Sequence, residues 1–290
     1  FVPLEGEVGL LVRYLERPIA FTTSWLQEQQ VEAWDDHENP HQVTRRFLEA
    51  RNWLSRRVAF EKSSSYCSVQ EYEKLHEALG IELADGSGII EELRKIKSPA
   101  EIAFIRQAAR YTEIGVKAGY EALAAGKTEN EVVGKICDAM IGAGSEYPSS
   151  GPILTGGWKS GIPHTTFHRL KLKKGDAVLY ELSGVYNRYN APLMRSGVIG
   201  TPEERVRKFY EVCVEGLEAA IDAIRPGATA GSVDDACRMI IEKAGFYENF
   251  RKRTGYAVGC SYPAGWGEGH IIDLKKGDDR VLEPGMVFHM

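Results

Sequence analysis

Among the side chains of this 290-residue chain that could move protons, four stand in settings that single them out: His164, Glu181, Glu268 and His270. Glu181 ends the run Asp176-Ala177-Val178-Leu179-Tyr180, whose apolar density predicts a strand entering a core. A carboxylate there needs a partner or a task, because burying an unpaired charge is costly. Strand periodicity puts Ala177, Leu179 and Glu181 on one face and Val178, Tyr180 and Leu182 on the other. That pattern leaves four roles open for Glu181: metal ligand, ion-pair partner, catalyst, or the wet side of an alternating strand. Arg188, Tyr189 and Arg195 follow closely and would suit either a bound carboxylate or a solvated hairpin.

His164 lies in Gly161-Ile162-Pro163-His164-Thr165-Thr166, where Pro163 disfavours helix at Ile162 and predicts a loop. A lone loop histidine is more often structural than catalytic, yet imidazole is the side chain best suited to proton exchange near neutral pH. His168, four residues on, gives an HxxxH spacing without the glutamate or the helix of a zinc-binding HExxH. The stretch Trp266-Gly267-Glu268-Gly269-His270 pairs an acid and an imidazole with glycines that let backbone approach a ligand. A plain glycine-rich turn with a surface glutamate accounts for it equally well.

The elements that must position these groups fall into two textures. Residues 1–92 alternate short apolar runs (Val8–Val12, Arg57–Phe60) with amphipathic stretches (Gln42–Leu54, Val69–Leu79), which predicts a small α/β domain. Residues 93–290 alternate helix pairs with strand-rich blocks, which predicts an α+β domain with helices on one side of a curved antiparallel sheet. Capping boxes mark its helices: Ser98-Pro99-Ala100-Glu101, Thr128–Glu131 and Thr201-Pro202-Glu203-Glu204, with a fourth start expected at Ser232–Asp235.

The net charge of −5, without a long basic block, argues against nucleic acid, and no run of 18 apolar residues suggests a membrane span. Five scattered cysteines without a CxxC pair suggest reduced thiols in a cytoplasmic protein. The absence of an initiator Met and an end just inside an apolar strand make the chain look like an interior piece of a longer polypeptide.

The order of His164, Gly175-Asp176-x-Val178-Leu179, Tyr189…Arg195, Gly255…Gly259 and Leu282–Val287 resembles the creatinase/aminopeptidase P/prolidase superfamily. Lys97-Ser98-Pro99-Ala100-Glu101-Ile102 fits its usual domain entrance. The resemblance implies a pita-bread C-terminal domain behind an α/β N-terminal one. Its peptidases bind two metal ions through Asp, Asp, His, Glu and Glu. Carried over, the first three fall on Glu181, Pro192 and Tyr256, and the two glutamates fall past Met290. Proline offers no side-chain donor and tyrosine replaces imidazole poorly, so no metal and no other cofactor is expected.

The resemblance is then to the metal-independent branch, which hydrolyses C–N bonds in small nitrogen-rich molecules. Creatinase-like members carry a glutamate just before the arginine matched by Arg195, whereas this chain has Met194 there. Tyr180-Glu181-Leu182-x-Gly184-Val185-Tyr186-x-Arg188-Tyr189 together with Trp266–His270 is more similar to the ectoine hydrolases. This implies hydrolysis of a cyclic amidine, ectoine, to an N-acetyl-2,4-diaminobutyrate. His164, Glu181, Glu268 and His270 would be catalytic, while Tyr189, Arg195, Tyr256 and Trp266 would bind the small-molecule substrate. Arg188 or Arg195 would hold the substrate's carboxylate tail. A homodimer is implied as well. The alternatives are a creatinase-like amidinohydrolase, an Xaa-Pro peptidase with an altered metal site, and a binding module without catalysis.

Overall fold

The computed structural model describes residues 1–290, which form two compact units, Phe1–Ile90 and Glu91–Met290. In the first, β1 (Leu10–Arg13) leads through α1 (Arg17–Thr23) into β2 (Val31–Trp34), its parallel partner. Next, α2 (Pro40–Ala50) starts with a proline, and the Asn39 side chain caps it by accepting from the His41 and Gln42 amides. Strand β3 (Ala59–Phe60) then leads through α3 (Val69–Leu79) into β4 (Ala84–Asp85), again in parallel. Phe47, Leu48, Leu79 and Leu83 form the core of this α/β unit.

Helix α4 (Ile89–Lys95) leads into α5 (Pro99–Ala122), which opens on the Ser98/Glu101 capping box. The same device at Thr128/Glu131 opens α6 (Glu129–Gly142). The antiparallel strands β5 (Ile153–Gly156), β6 (Ala177–Tyr186) and β7 (Tyr189–Val198) follow. Asn187 and Arg188 both take positive φ and close the tight β6–β7 hairpin. Helices α7 (Glu204–Ala223) and α8 (Ala230–Lys243) precede β8 (Gly255–Ala257), β9 (Asp273–Leu274) and β10 (Phe288–His289), in the sheet order β10-β8-β9.

Two helix starts differ from expectation. The chain is still extended at Glu203, with ψ 152°, so α7 begins at Glu204 and the Thr201 box does not form. Helix α8 begins three residues early, because Thr229 rather than Ser232 supplies the capping oxygen.

Helices α5 and α6 cover one face of β5-β6-β7, burying Val132, Ile136, Leu154, Tyr180 and Leu182 together. Where β6 crosses α5 there is no room for a side chain. A Cβ on Gly184 would meet the Thr112 amide and the Tyr111 side chain, and Thr112 Oγ1 instead accepts from the Gly184 amide at 2.7 Å. The second sheet packs Ala257, Ile272 and Leu274 against Val233 and Ile241 of α8. The two sheets join where Asn190 N donates to Gly259 O at 3.0 Å. No helix is long and apolar enough to cross a membrane.

Candidate active site

Glu181 lies in the middle of its sheet, between Ile153 of β5 and Met194 of β7. Its other face is sealed by the helix core, and only 8% of the residue remains exposed. Neither carboxylate oxygen has a hydrogen-bond or ion-pair partner, in contrast with the chain's other deeply buried glutamates. Burial pushes the Glu181 carboxyl above its ordinary value, while His164 and Lys252 pull it back.

His164 reaches this place from the loop before β6. Its backbone is left-handed, at φ 61°, a conformation uncommon for a residue with a Cβ. The loop is tied down from beneath: Lys159 Nζ donates to Glu129 at 2.8 Å and to Thr166 O at 3.2 Å. Glu129 is fully buried and also accepts from the Gly156 and His168 amides. Burial alone would raise its carboxyl, but these donors prevail and hold it below the usual range. The exposed imidazole of His164 meets Lys252, with Nε2 and Nζ 3.0 Å apart.

The opposite wall is the second sheet. His289, Tyr256 and Asp273 lie side by side across β10, β8 and β9. The Tyr256 ring packs at 5.0 Å against the His289 ring, and the Arg253 guanidinium sits 4.6 Å from its centroid. Trp266 Nε1 donates to the Tyr256 hydroxyl at 2.9 Å, and Gly267 lies against the ring with no space for a Cβ. Burial above all, with Glu181 adding to it, pushes the Tyr256 phenol up to about 12. Burial lowers the His289 imidazole to about 4, with the Pro192 backbone pulling the other way.

The residues singled out in the sequence therefore separate. His164, Glu181, Tyr256 and Trp266 come together. Glu268 does not join them: its carboxylate, 1% exposed, lies between Lys97 Nζ at 2.7 Å and Arg94 Nη2 at 2.5 Å. Both of its oxygens are committed to cations. Tyr189 goes with Glu268, donating to Glu101 at 2.9 Å, because the β6–β7 hairpin turns it toward Cys260. Both line a cavity of about 260 Å³ with Lys97 and Glu101. Arg195 is opposite Tyr180 in the ladder, on the face away from Glu181, and is exposed. Arg188 is also unavailable for a ligand. It is buried between the Tyr147 and Tyr262 rings and donates to Glu146, Tyr147 O, Ser149 and Ser261 O. His270 is exposed, outside the Glu181 group. Lys252, Arg253 and His289 were not anticipated. The triplet Arg251-Lys252-Arg253, just ahead of Tyr256, was the available signal.

Residues 103–290 match the model of metallopeptidase family M24, and residues 1–96 match the creatinase/prolidase N-terminal domain. The chain belongs to family M24. It is 29% identical to an ectoine hydrolase of Halomonas elongata, over 99% of this chain and 75% of the relative. It is 31% identical to an Xaa-Pro dipeptidase of Pyrococcus furiosus, over 79% of this chain and 64% of the relative. Among solved structures, a prolidase from Pyrococcus horikoshii superposes with a TM-score of 0.82 at 28% identity, covering 96% of this chain and 75% of that one. An Xaa-Pro dipeptidase from Bacillus anthracis gives the same TM-score at 23% identity and supports the fold. The M24 fold and the hydrolase class are thus shared with these relatives.

The two metal ions of M24 peptidases find a poor donor set here. Pro192 offers only a backbone carbonyl, and Tyr256 holds a phenol that stays protonated at neutral pH. No group of three or more His, Cys, Asp and Glu side chains gathers at any point of the chain. The residues present do not fit a dinuclear centre. What they do offer is one buried, unpaired carboxylate facing an imidazole, an ammonium and an aromatic wall.

Proposed function

We propose that this M24 hydrolase opens a C–N bond in a small cyclic amidine, with ectoine as substrate and an N-acetyl-2,4-diaminobutyrate as product. The observation that carries this reading is the buried Glu181 carboxylate without a protein partner. A planar amidinium would supply the missing charge-assisted hydrogen bonds. The Tyr256 ring, held by Trp266, would supply an aromatic face for the delocalised cation. The ectoine hydrolase of Halomonas elongata, similar over nearly the whole chain, lends support.

The reaction consumes one water. Oxygen adds to the amidine carbon, the bond from that carbon to one ring nitrogen breaks, and the nitrogen leaves as an amine after gaining a proton. Glu181 carries the nucleophilic half, by taking a proton from water or by attacking the carbon and being released by water afterwards. Either route needs the carboxylate ionised. Its raised pKa therefore places the acid limb of the pH–rate profile above the range of a free glutamate. His164 exchanges the proton of the departing nitrogen. A homodimer is part of the proposal, and sedimentation of the full chain checks it.

The test is product analysis with ectoine after exhaustive chelation, with creatine and a Gly-Pro dipeptide assayed in parallel. The proposal expects ectoine turnover to survive chelation. Loss of turnover that zinc, manganese or cobalt restores would overturn it, as would selective cleavage of the dipeptide.

A further inference from the structure

Lys252 takes no part in the chemistry described so far, yet its Nζ lies 3.0 Å from His164 Nε2. An ammonium has three N–H donors and no lone pair, so at this distance the ring nitrogen must be the acceptor. A doubly protonated imidazole would bring two donors face to face. In this pairing a neutral His164 carries its one proton on Nδ1.

We propose that Lys252 is a positioning residue that fixes His164 as the Nδ1–H tautomer, making it the proton donor of the site and leaving Glu181 as the only proton acceptor. Three features of the fold support this. The left-handed backbone of His164 is held from beneath by the Lys159–Glu129 pair, so the ring is presented at a set place. Lys252 is only four residues ahead of Tyr256, so one short segment carries both the aromatic wall and the ammonium. The Lys252 ammonium also acts on the Glu181 carboxylate, which puts the two within one electrostatic neighbourhood.

The inference rests on the hydrolytic reading for its chemical consequence, and it sharpens that reading. A neutral imidazole that gave up its only N–H would become an anion. With Lys252 on Nε2 this does not arise. As the Nδ1 proton passes to the departing ring nitrogen, a Lys252 proton passes to Nε2, and the imidazole stays neutral throughout. The chain of transfers begins on one alkylamine and ends on another, so it runs between groups of similar basicity. Lys252 and the His164 ring are both exposed, so before the next turnover the ring loses its Nε2 proton to solvent and takes one back at Nδ1, while Lys252 regains its own.

Nitrogen-15 spectra of histidine-labelled full chain test the tautomer directly, beside steady-state kinetics with ectoine. Expected are an Nδ1–H signature for His164 in the parent and in Lys252→Arg, and an Nε2–H signature in Lys252→Met. Arginine keeps the hydrogen bond but does not release a proton. Hence kcat should fall by about 10²- to 10⁴-fold in both variants, with KM little changed. An Nε2–H tautomer in the parent, unchanged kcat in Lys252→Met, or full activity in Lys252→Arg would each overturn the proposal. An Nδ1–H parent that does not turn over ectoine would sink the substrate reading and leave the Lys252–His164 assignment standing.

Discussion

Two buried glutamates divide the catalytic unit between them. Glu268 and Glu181 are 1% and 8% exposed, and both sit within about the same depth of structure. Glu268 is saturated by two cations, one of them Lys97, itself 1% exposed in its side chain. Glu181 is bare. The difference is one of purpose. A saturated buried pair fixes geometry, here tying the α4–α5 junction to the glycine loop that holds Trp266 against Tyr256. A buried carboxylate without a protein partner keeps its oxygens open to a cationic ligand. Glu129, saturated by Lys159 and backbone amides, sides with Glu268 and confirms that this fold pairs its buried acids when they are structural.

That contrast can be broken at several points. The largest expected effect is on Glu268→Gln, which leaves Lys97 buried without its counter-charge and should cost about 3–5 kcal/mol in urea unfolding. Replacing Glu268 and Lys97 together by methionines should recover much of that loss, and a double variant no better than the single one would show that the pair is not the source of the effect.

Next is a pH effect on the Tyr256 wall. An unfolded histidine takes its proton near 6.5, whereas His289 in the native chain does so only near 4. Between these values the unfolded state binds the extra proton, so stability falls as pH drops from about 6.5 to about 4 and is at its fullest above that window. The total is on the order of 3 kcal/mol. His289→Gln should flatten this slope in unfolding curves taken at several pH values, and a slope unaltered by the substitution contradicts the burial argument.

The smallest stability effect belongs to Glu181. Because its charge has no partner to lose, Glu181→Gln should leave the melting temperature unchanged or raise it slightly. A drop as large as that of Glu268→Gln would mean that the two acids do the same structural work.

Local rules carried much of the fold. The Ser98 and Thr128 capping boxes and the alternating faces of β6 are short-range features, and both were legible from residue order. Whether Glu181 was buried was not legible, because that depends on whether the second face of β6 is covered, a fact of packing. Lys252 was hidden for a related reason: it meets His164 across 88 positions of sequence, and a basic triplet in isolation looks like a solvated surface. Tyr189 and Glu268 carried the right chemistry for a site but were drawn elsewhere by the hairpin register and by two cations near α5. Residue type marked the candidates, and only the register of the strands sorted them.

The central claim is that the unpaired carboxylate at position 181 does the chemistry, and turnover of ectoine by folded Glu181→Gln tests it most directly. The account predicts a loss of about 10²- to 10⁴-fold in kcat with the fold intact. Turnover near that of the parent chain would contradict it.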